Sequence, residues 1–163
     1  MNMMHGNDWT GQDVSGWWAS EKLNGWRIWW DGSAMRMRLN NRLVSPDWFT
    51  ANLPAFELDM ELHLGRGCTD TDVHRAVAAR EWSRLRLTAF DVPGYLIESA
   101  IKILNTLPDA VAHVRVETTG EALAFRNLIG DVGGEGIMLR RAGSAYQEWR
   151  TDDLLKMKVS AVR

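Results

Sequence analysis

The chain has 163 residues, enough for one domain that buries roughly 70% of its unfolded surface. Its content of 45% hydrophobic and 25% charged residues is typical of a globular protein and excludes a disordered tail or a collagen-like fibre. A single cysteine, Cys68, excludes an internal disulfide and a cysteine-rich zinc site.

The formal net charge of −2 is unevenly distributed along the chain. Residues 20–50 contain five Lys/Arg and three Asp/Glu, and residues 138–163 contain six Lys/Arg and three Asp/Glu. The other residues contain eight Lys/Arg and fifteen Asp/Glu. No apolar run approaches the ~20 residues of a membrane span, and the first ten residues lack the basic and apolar segments of a signal peptide. We therefore expect a cytoplasmic protein with no membrane partner and two basic segments.

The first clear element is a β-hairpin. Apolar and polar residues alternate over 26–30 and again over 33–39, and Asp31-Gly32 lies between the two runs. Asp-Gly tolerates the positive φ angles of a tight hairpin turn.

The next strand alternates throughout residues 56–64. Five apolar residues share one face, while Glu57, Asp59, Glu61 and His63 share the other. Three carboxylates on one face repel each other unless a cation lies against them; the alternative is a solvent-exposed face.

Helices are then predicted over 69–80, 96–107 and 120–132, and strands over 85–92, 112–117, 136–141 and 154–159. Because strands and helices are mixed without strict alternation, we expect an α+β fold with largely antiparallel sheets.

Candidate chemistry lies in three separated segments. Lys22 precedes an Asn24-Gly25 turn, with Arg27 on the strand that follows. Glu135-Gly136 opens a later strand, and Lys156 and Lys158 share one face of the last one. No phosphate-binding glycine loop, nucleophile elbow or His-Glu-x-x-His motif occurs, so phosphate chemistry would rest on these side chains.

In this order the segments resemble the covalent nucleotidyltransferases, which comprise DNA ligases, RNA ligases and mRNA capping enzymes. The family's Lys-x-Asp-Gly motif resembles residues 22–25, its third motif resembles residues 58–62, and its aromatic motif resembles Phe90-Asp91-Val92. Its Glu-Gly and Lys-x-Lys motifs match residues 135–136 and 156–158. Stretches such as 20–23, 46–49, 62–67 and 150–156 resemble the small bacterial ATP-dependent ligases called Lig E.

The resemblance implies a nucleotidyltransferase (adenylation) domain over residues 1–163, with a nucleotide cleft between its sheets. The family continues from the Lys-x-Lys strand into an OB-fold domain, whereas five residues follow Lys158 in this sequence, so we expect no OB-fold domain here. It also implies ATP-dependent sealing of nicks between a 5′-phosphate and a 3′-hydroxyl through a covalent lysyl-AMP intermediate. Lys22 would be the nucleophile, and its amine would have to be uncharged to attack. ATP and Mg²⁺ are the expected cofactors, and nicked duplex DNA or RNA is the expected partner.

The other site residues follow from the same resemblance. Glu135 would bind the metal and Arg38 the 5′-phosphate of the nick. The residues that would bind ATP are Glu21, Arg27, Glu61, Phe90, Lys156 and Lys158. Among them Phe90 would stack on adenine, and Glu61 and Arg27 would contact the ribose.

Three departures from the family pattern leave alternatives open. Asn24 replaces the usual Asp, Met60 replaces the usual Gly, and residues 37–40 depart from the usual Ser/Thr-Arg-x-Gly. The alternatives are an RNA ligase or capping-type enzyme and a non-catalytic domain that binds nucleotide or nucleic acid. We expect a monomer, with the missing clamp supplied by a partner chain.

Overall fold

A computed structural model describes residues 2–159 of the chain. Within this range the structure contains ten strands and four α-helices. In chain order they are β1 (Met4–Asp8), β2 (Trp18–Glu21), β3 (Trp26–Trp30), β4 (Met35–Arg36), β5 (Arg42–Leu43), α1 (Asp47–Thr50), β6 (Leu58–His63), α2 (Asp70–Ala78), β7 (Arg86–Asp91), α3 (Ile97–Leu104), β8 (His113–Arg115), α4 (Thr119–Asp131), β9 (Gly136–Arg140) and β10 (Trp149–Lys158).

The strands form two five-stranded sheets with separate cores. The first sheet has the order β1-β10-β9-β2-β8 and the second has the order β5-β4-β3-β6-β7. Among these strands β1 and β10 pair in parallel, and the other neighbours pair antiparallel. The predicted α+β fold with largely antiparallel sheets is therefore confirmed.

The predicted hairpin forms, but its second strand is shorter than expected. β3 pairs with β4 through Trp29–Arg36 and Trp30–Met35. After Arg36 the chain bends into a local turn, in which Asn40 has a φ of 64° and its N–H donates to the Met37 carbonyl. The strand prediction over 37–39 was wrong because this turn replaces the ladder hydrogen bonds.

Both faces of β6 are covered, so the alternative of a solvent-exposed polar face was wrong. Leu58, Met60 and Leu62 lie in the apolar core of the second sheet, and Asp59 on the opposite face is 0% exposed. Met60, at the position where the family has Gly, packs in that core and is 1% exposed.

The three longer helices form where they were predicted. α2 begins after Thr69, whose hydroxyl accepts from the Asp72 N–H while the Asp72 carboxylate accepts from Thr69, as in a capping box. α4 packs Ala122 and Ile129 into the core of the first sheet. β1 and β2 lack strict alternation and were not predicted. No helix of residues 2–159 has both the length and the apolarity of a membrane span.

Candidate active site

A cavity of about 300 Å³ lies between the two sheets. Its wall includes residues of β1, β2, β9 and β10 from the first sheet and of β3, β6 and β7 from the second. Seven of the nine predicted site residues line it: Glu21, Lys22, Arg27, Arg38, Glu61, Phe90 and Lys156. Segments more than a hundred residues apart in the chain thus meet at one cleft.

Lys22 lies immediately after β2, on the cavity wall. Its backbone N–H donates to the Gly136 carbonyl at 2.9 Å, and its Nζ donates to Glu135 Oε2 at 2.6 Å. Glu135 Oε1 lies 3.7 Å from Lys158 Nζ. One carboxylate therefore lies between the predicted nucleophile and a lysine of the C-terminal motif.

Two glycines allow the backbones of the motifs to approach closely. A Cβ at Gly25 would collide with the Leu62 carbonyl of β6, and one at Gly136 would collide with the Met157 carbonyl of β10. Gly136 also has a φ of +143°, in the region that favours glycine. The glycines of both motifs are thus required for these close backbone contacts.

Arg27 is held by a buried carboxylate. Its Nε and Nη2 donate to the two oxygens of Asp59 at 2.9 and 2.5 Å, and the Tyr146 hydroxyl donates to Asp59 Oδ2 at 2.6 Å. Burial favours the neutral form of Arg27, but the Asp59 charge and its hydrogen bonds outweigh burial and raise the pKa. Burial and Asp59 likewise raise the pKa of Tyr146. The Arg27 guanidinium carbon lies 5.4 Å from the centre of the Phe90 ring.

Glu61 pairs with Arg27 across β3 and β6, and its carboxylate is the second acid on this face of the strand. Burial raises the pKa of Glu61 to about 7, although the charges of Lys22 and Arg27 favour its ionised form. A carboxylate with this pKa changes charge near neutral pH, beside the predicted nucleophile.

Glu21 contacts an arginine that sequence reasoning missed. Its carboxylate accepts from Arg66 Nε and Nη2 at 2.8 and 2.9 Å, and it lines both the first cavity and a second one of about 620 Å³. The second cavity is also lined by Lys22 and Glu135. Binding of ATP by Glu21 stays a prediction.

The paired lysines of β10 lie in different environments. Leu155 and Met157 are buried, so alternation places Lys156 and Lys158 on the same face, as predicted. Lys156 lines the cavity and lies 3.1 Å from Asp8 Oδ1, whereas the Lys158 side chain is 56% exposed and is absent from the cavity wall.

The carboxylates at the cavity suit a magnesium ion that is held partly by substrate, and they do not form a site in which the protein supplies every ligand. Among residues 2–159 no group of three or more His, Cys, Asp and Glu side chains could hold a metal ion. Mg²⁺ is commonly held by one or two carboxylates together with substrate phosphates and water. Glu135, half-buried and accepting from Lys22, fits that role.

Sequence reasoning also missed His5, Arg66, Tyr146 and Arg150. His5 and Arg150 line the first cavity and Arg66 lines the second, while Tyr146 donates to Asp59. None belongs to a motif that was singled out as chemical, and Tyr146 and His5 come from segments for which no strand or site was predicted. Only the three-dimensional structure could associate them with Lys22.

Known proteins resemble this chain in sequence and structure, although no protein-family model matches it. A DNA ligase of Haemophilus influenzae is 28% identical in an alignment of 161 residues, and the match covers 91% of this chain and 60% of that protein. The chain thus spans about 60% of the length of this curated relative.

Two solved structures share the fold. One is a Lig E DNA ligase from a study of DNA binding with a minimal scaffold, and it is 29% identical to this chain with a TM-score of 0.85. The match covers 98% of this chain and 69% of that one. The Chlorella virus DNA ligase-adenylate is 18% identical with a TM-score of 0.80, covering 96% of this chain and 67% of that one. The predicted resemblance is confirmed at the level of the fold, which this chain shares with solved DNA ligases that include a Lig E enzyme.

Proposed function

We propose that this chain is the adenylation domain of an ATP-dependent DNA ligase, and that it forms a covalent lysyl-AMP intermediate at Lys22. The observation that carries the proposal is the position of the Lys22 amine. It lies on the wall of a cleft that also presents Arg27, Glu61, Phe90 and Lys156, and it donates to Glu135 at 2.6 Å.

The first step would be in-line displacement at the α-phosphate of ATP. The Lys22 nitrogen would form a bond to phosphorus, the bond from the α-phosphorus to the bridging oxygen would break, and pyrophosphate would leave with the bonding electrons. The amine must lose a proton before it attacks. Glu135, at 2.6 Å, and Glu61, with a pKa of about 7, are the carboxylates beside it.

The surrounding side chains would position and stabilise the nucleotide. Phe90 would stack on adenine, while Glu61 and Arg27 would contact the ribose. Lys156 and Lys158 would place positive charge against the phosphates, where negative charge develops. Glu135 would hold Mg²⁺, which would supply further positive charge at the phosphates.

The later steps would transfer AMP to the 5′-phosphate of a nick and then release it on attack by the 3′-hydroxyl. Arg38, on the cavity wall, is the proposed contact for that 5′-phosphate. DNA is the favoured substrate because the relatives compared above are DNA ligases. We further propose that the domain acts as a monomer and that an OB-type clamp is supplied by another segment or chain.

The test is incubation with α-labelled ATP and Mg²⁺, followed by denaturing electrophoresis. We expect label on the wild-type chain and none on Lys22→Ala, because no other amine occupies this position. Lys102→Ala, which removes a lysine of α3 outside the cavity wall, is the matched control and should label normally.

Intact mass measured before the incubation identifies protein that was purified already adenylylated. Absence of label from unadenylylated wild type with any nucleotide would instead favour a non-catalytic binding domain. If the chain is labelled, a comparison of its sealing of nicked DNA and of nicked RNA then shows which polynucleotide is its substrate.

A further inference from the structure

A row of four side chains crosses the first sheet on the side of the first cavity. The register across β8, β2, β9 and β10 places one residue of each strand side by side, in the order His113, Ser20, Met138 and Lys156. All four line the cavity, whereas the neighbouring residues of β9 and β10 lie in the core of the same sheet. Because side chains alternate between the faces of a strand, the row belongs to the cleft face.

The position of Lys22 indicates which part of a nucleotide would reach this row. Lys22 follows Ser20 by two residues, roughly 7 Å along the strand direction, and its N–H donates to the Gly136 carbonyl of β9. Phe90, the residue proposed to stack on adenine, lines the same cavity from the second sheet. A nucleotide with its α-phosphate at Lys22 and its base against Phe90 would therefore bring the edge of the base to Ser20 and His113.

His113 supplies a hydrogen-bond acceptor at this position. Its ring donates to the Val111 carbonyl, so the other ring nitrogen of the neutral imidazole is an acceptor. Burial and the charge of Arg140 lower the pKa of His113 to about 4, although the Val111 carbonyl opposes them, and the imidazole is neutral at pH 7. Because the ring lines the cavity, its second nitrogen can accept from a bound base.

Arg140 supplies a donor in the adjacent row. Its Nε donates to Ser144 at 2.8 Å and its Nη1 donates to Asp91 at 2.7 Å. Its Nη2 is buried and has no hydrogen-bond partner among residues 2–159, although buried donors nearly always have one. Since Arg140 lines the cavity, an acceptor on a bound base would supply the missing partner.

An acceptor beside a donor matches adenine and opposes guanine. Adenine has an amine at C6, which donates, and the ring nitrogens N1 and N7 on either side of it accept. Guanine has an oxygen at C6, which only accepts, and its N1 carries a proton. With guanine in the same position, the C6 oxygen and the free nitrogen of His113 would be two acceptors without a proton between them.

We infer that His113 and Arg140 select the base of the nucleotide: His113 accepts from the adenine amine, and Arg140 Nη2 donates to N1 or N7 beside it. Neither residue belongs to the five motifs identified in the sequence. The inference rests on the proposed function, because it names the side chains that make the same site specific for ATP over GTP.

The test compares nucleotides that differ in one group of the base. The ligands are ATP, GTP and purine riboside triphosphate, which has hydrogen in place of the adenine amine. Their affinities are measured by titration calorimetry on the full chain carrying Lys22→Ala, which cannot be adenylylated at this position. The same measurements are made with His113→Leu added, which removes the acceptor and keeps a side chain of similar size.

With His113 present, ATP should bind about tenfold more tightly than purine riboside triphosphate and about 100-fold or more tightly than GTP. His113→Leu should weaken the binding of ATP by about tenfold and change that of purine riboside triphosphate by less than about twofold. A loss of affinity that is equal for the two nucleotides, or no loss for either, would overturn the assignment of His113.

Two further variants separate base recognition from a structural role. His113→Gln retains an acceptor and should recover part of the preference for ATP over purine riboside triphosphate. His74→Leu, which replaces an exposed histidine of α2 outside the cavity wall, is the matched control and should keep the full preference. If His113→Leu does not fold, equal binding of ATP and purine riboside triphosphate by the chain with His113 would still overturn the assignment.

Arg140 is tested by changing the ligand, because its substitution would also break the buried pair with Asp91. In 1-deaza-ATP and 7-deaza-ATP a C–H group replaces N1 or N7. One of these analogues should bind about tenfold more weakly than ATP. Undiminished binding of both would overturn the role of Arg140.

The outcomes separate this inference from the proposed function. A chain that is labelled at Lys22 but binds ATP and purine riboside triphosphate equally contradicts only the selection of the base. A chain that binds ATP with the expected preference but is never labelled contradicts the covalent mechanism and leaves the roles of His113 and Arg140 supported.

Discussion

Two clusters of carboxylates and cations lie near the cleft. They differ in how deeply the groups are buried and in how many of the carboxylate oxygens already have partners. In the buried cluster Asp59 is fully enclosed and accepts from Arg27 and Tyr146, so both of its oxygens are occupied. In the open cluster Glu135 is 24% exposed and lies between Lys22 and Lys158, which are 20% and 56% exposed.

The difference indicates separate roles for similar groups. A saturated buried ion pair resists exchange of partners, because removal of either member leaves an uncompensated charge in the interior. A half-exposed pair exchanges partners at little cost because water and ligands can replace each contact. We therefore propose that the buried cluster has a positioning role and that the open cluster takes part in the chemistry.

The largest expected effect follows from breaking the buried cluster. Asp59→Asn leaves the Arg27 charge without a counterion and should lower the free energy of unfolding by about 3–5 kcal/mol in urea denaturation. Glu81→Gln, which breaks the exposed pair with Arg84, is the control and should change stability by less than about 0.5 kcal/mol. Equal stabilities of the two variants would contradict the assignment.

Breaking the open cluster should affect activity instead of stability. Glu135→Gln should slow lysyl-AMP formation by about 100-fold or more, because it removes the proposed metal ligand, while unfolding changes by less than about 0.5 kcal/mol. The readout is the initial rate of labelling from α-labelled ATP. Asp131→Asn, which removes an exposed carboxylate nearby in the sequence, is the control and should label at the wild-type rate. Normal labelling of Glu135→Gln would exclude its role as a metal ligand.

Glu61 lies between the two clusters and gives a pH-dependent effect. Its pKa is about 7 in the folded chain against an ordinary 4.5, so between these values the unfolded chain binds fewer protons and stability falls as pH rises. Glu61→Gln should therefore be more stable than wild type by about 3 kcal/mol at pH 8 and equal to it near pH 4.

Thermal unfolding across this pH range measures the effect of Glu61. Glu57→Gln, on the same polar face of the segment but exposed, is the matched control and should follow the wild-type curve. Parallel curves for Glu61→Gln and wild type would show that the Glu61 carboxyl is not desolvated.

The smallest expected effect comes from the hydroxyl that completes the buried cluster. Tyr146→Phe removes one hydrogen bond to Asp59 and one from the Met4 N–H, and should cost about 1–2 kcal/mol of unfolding free energy. Tyr95→Phe removes an exposed hydroxyl and should be neutral. If the two variants lose equal stability in urea denaturation, the Tyr146 contact does not support Arg27.

Local sequence patterns were sufficient to predict most of the regular elements. The strict alternation of residues 56–64 arises from neighbours in the chain, and the structure confirms a strand over most of this segment, Leu58–His63. The helices predicted over 69–80 and 96–107 are likewise confirmed as α2 and α3. The same patterns could not detect β1 and β2, because these short strands form through pairing with distant partners rather than through alternation.

The sequence by itself determined the α+β class and the ordered set of motifs, since both depend on residue types and on spacing along the chain. Only the tertiary structure decided that Asp59 is enclosed and that Tyr146 shares it with Arg27. It also decided that Glu21 binds Arg66 and that His5 lies with Arg150 at the cleft. These contacts join segments up to about 145 residues apart, and burial and pairing over such distances arise from packing of the two sheets, which no local pattern encodes.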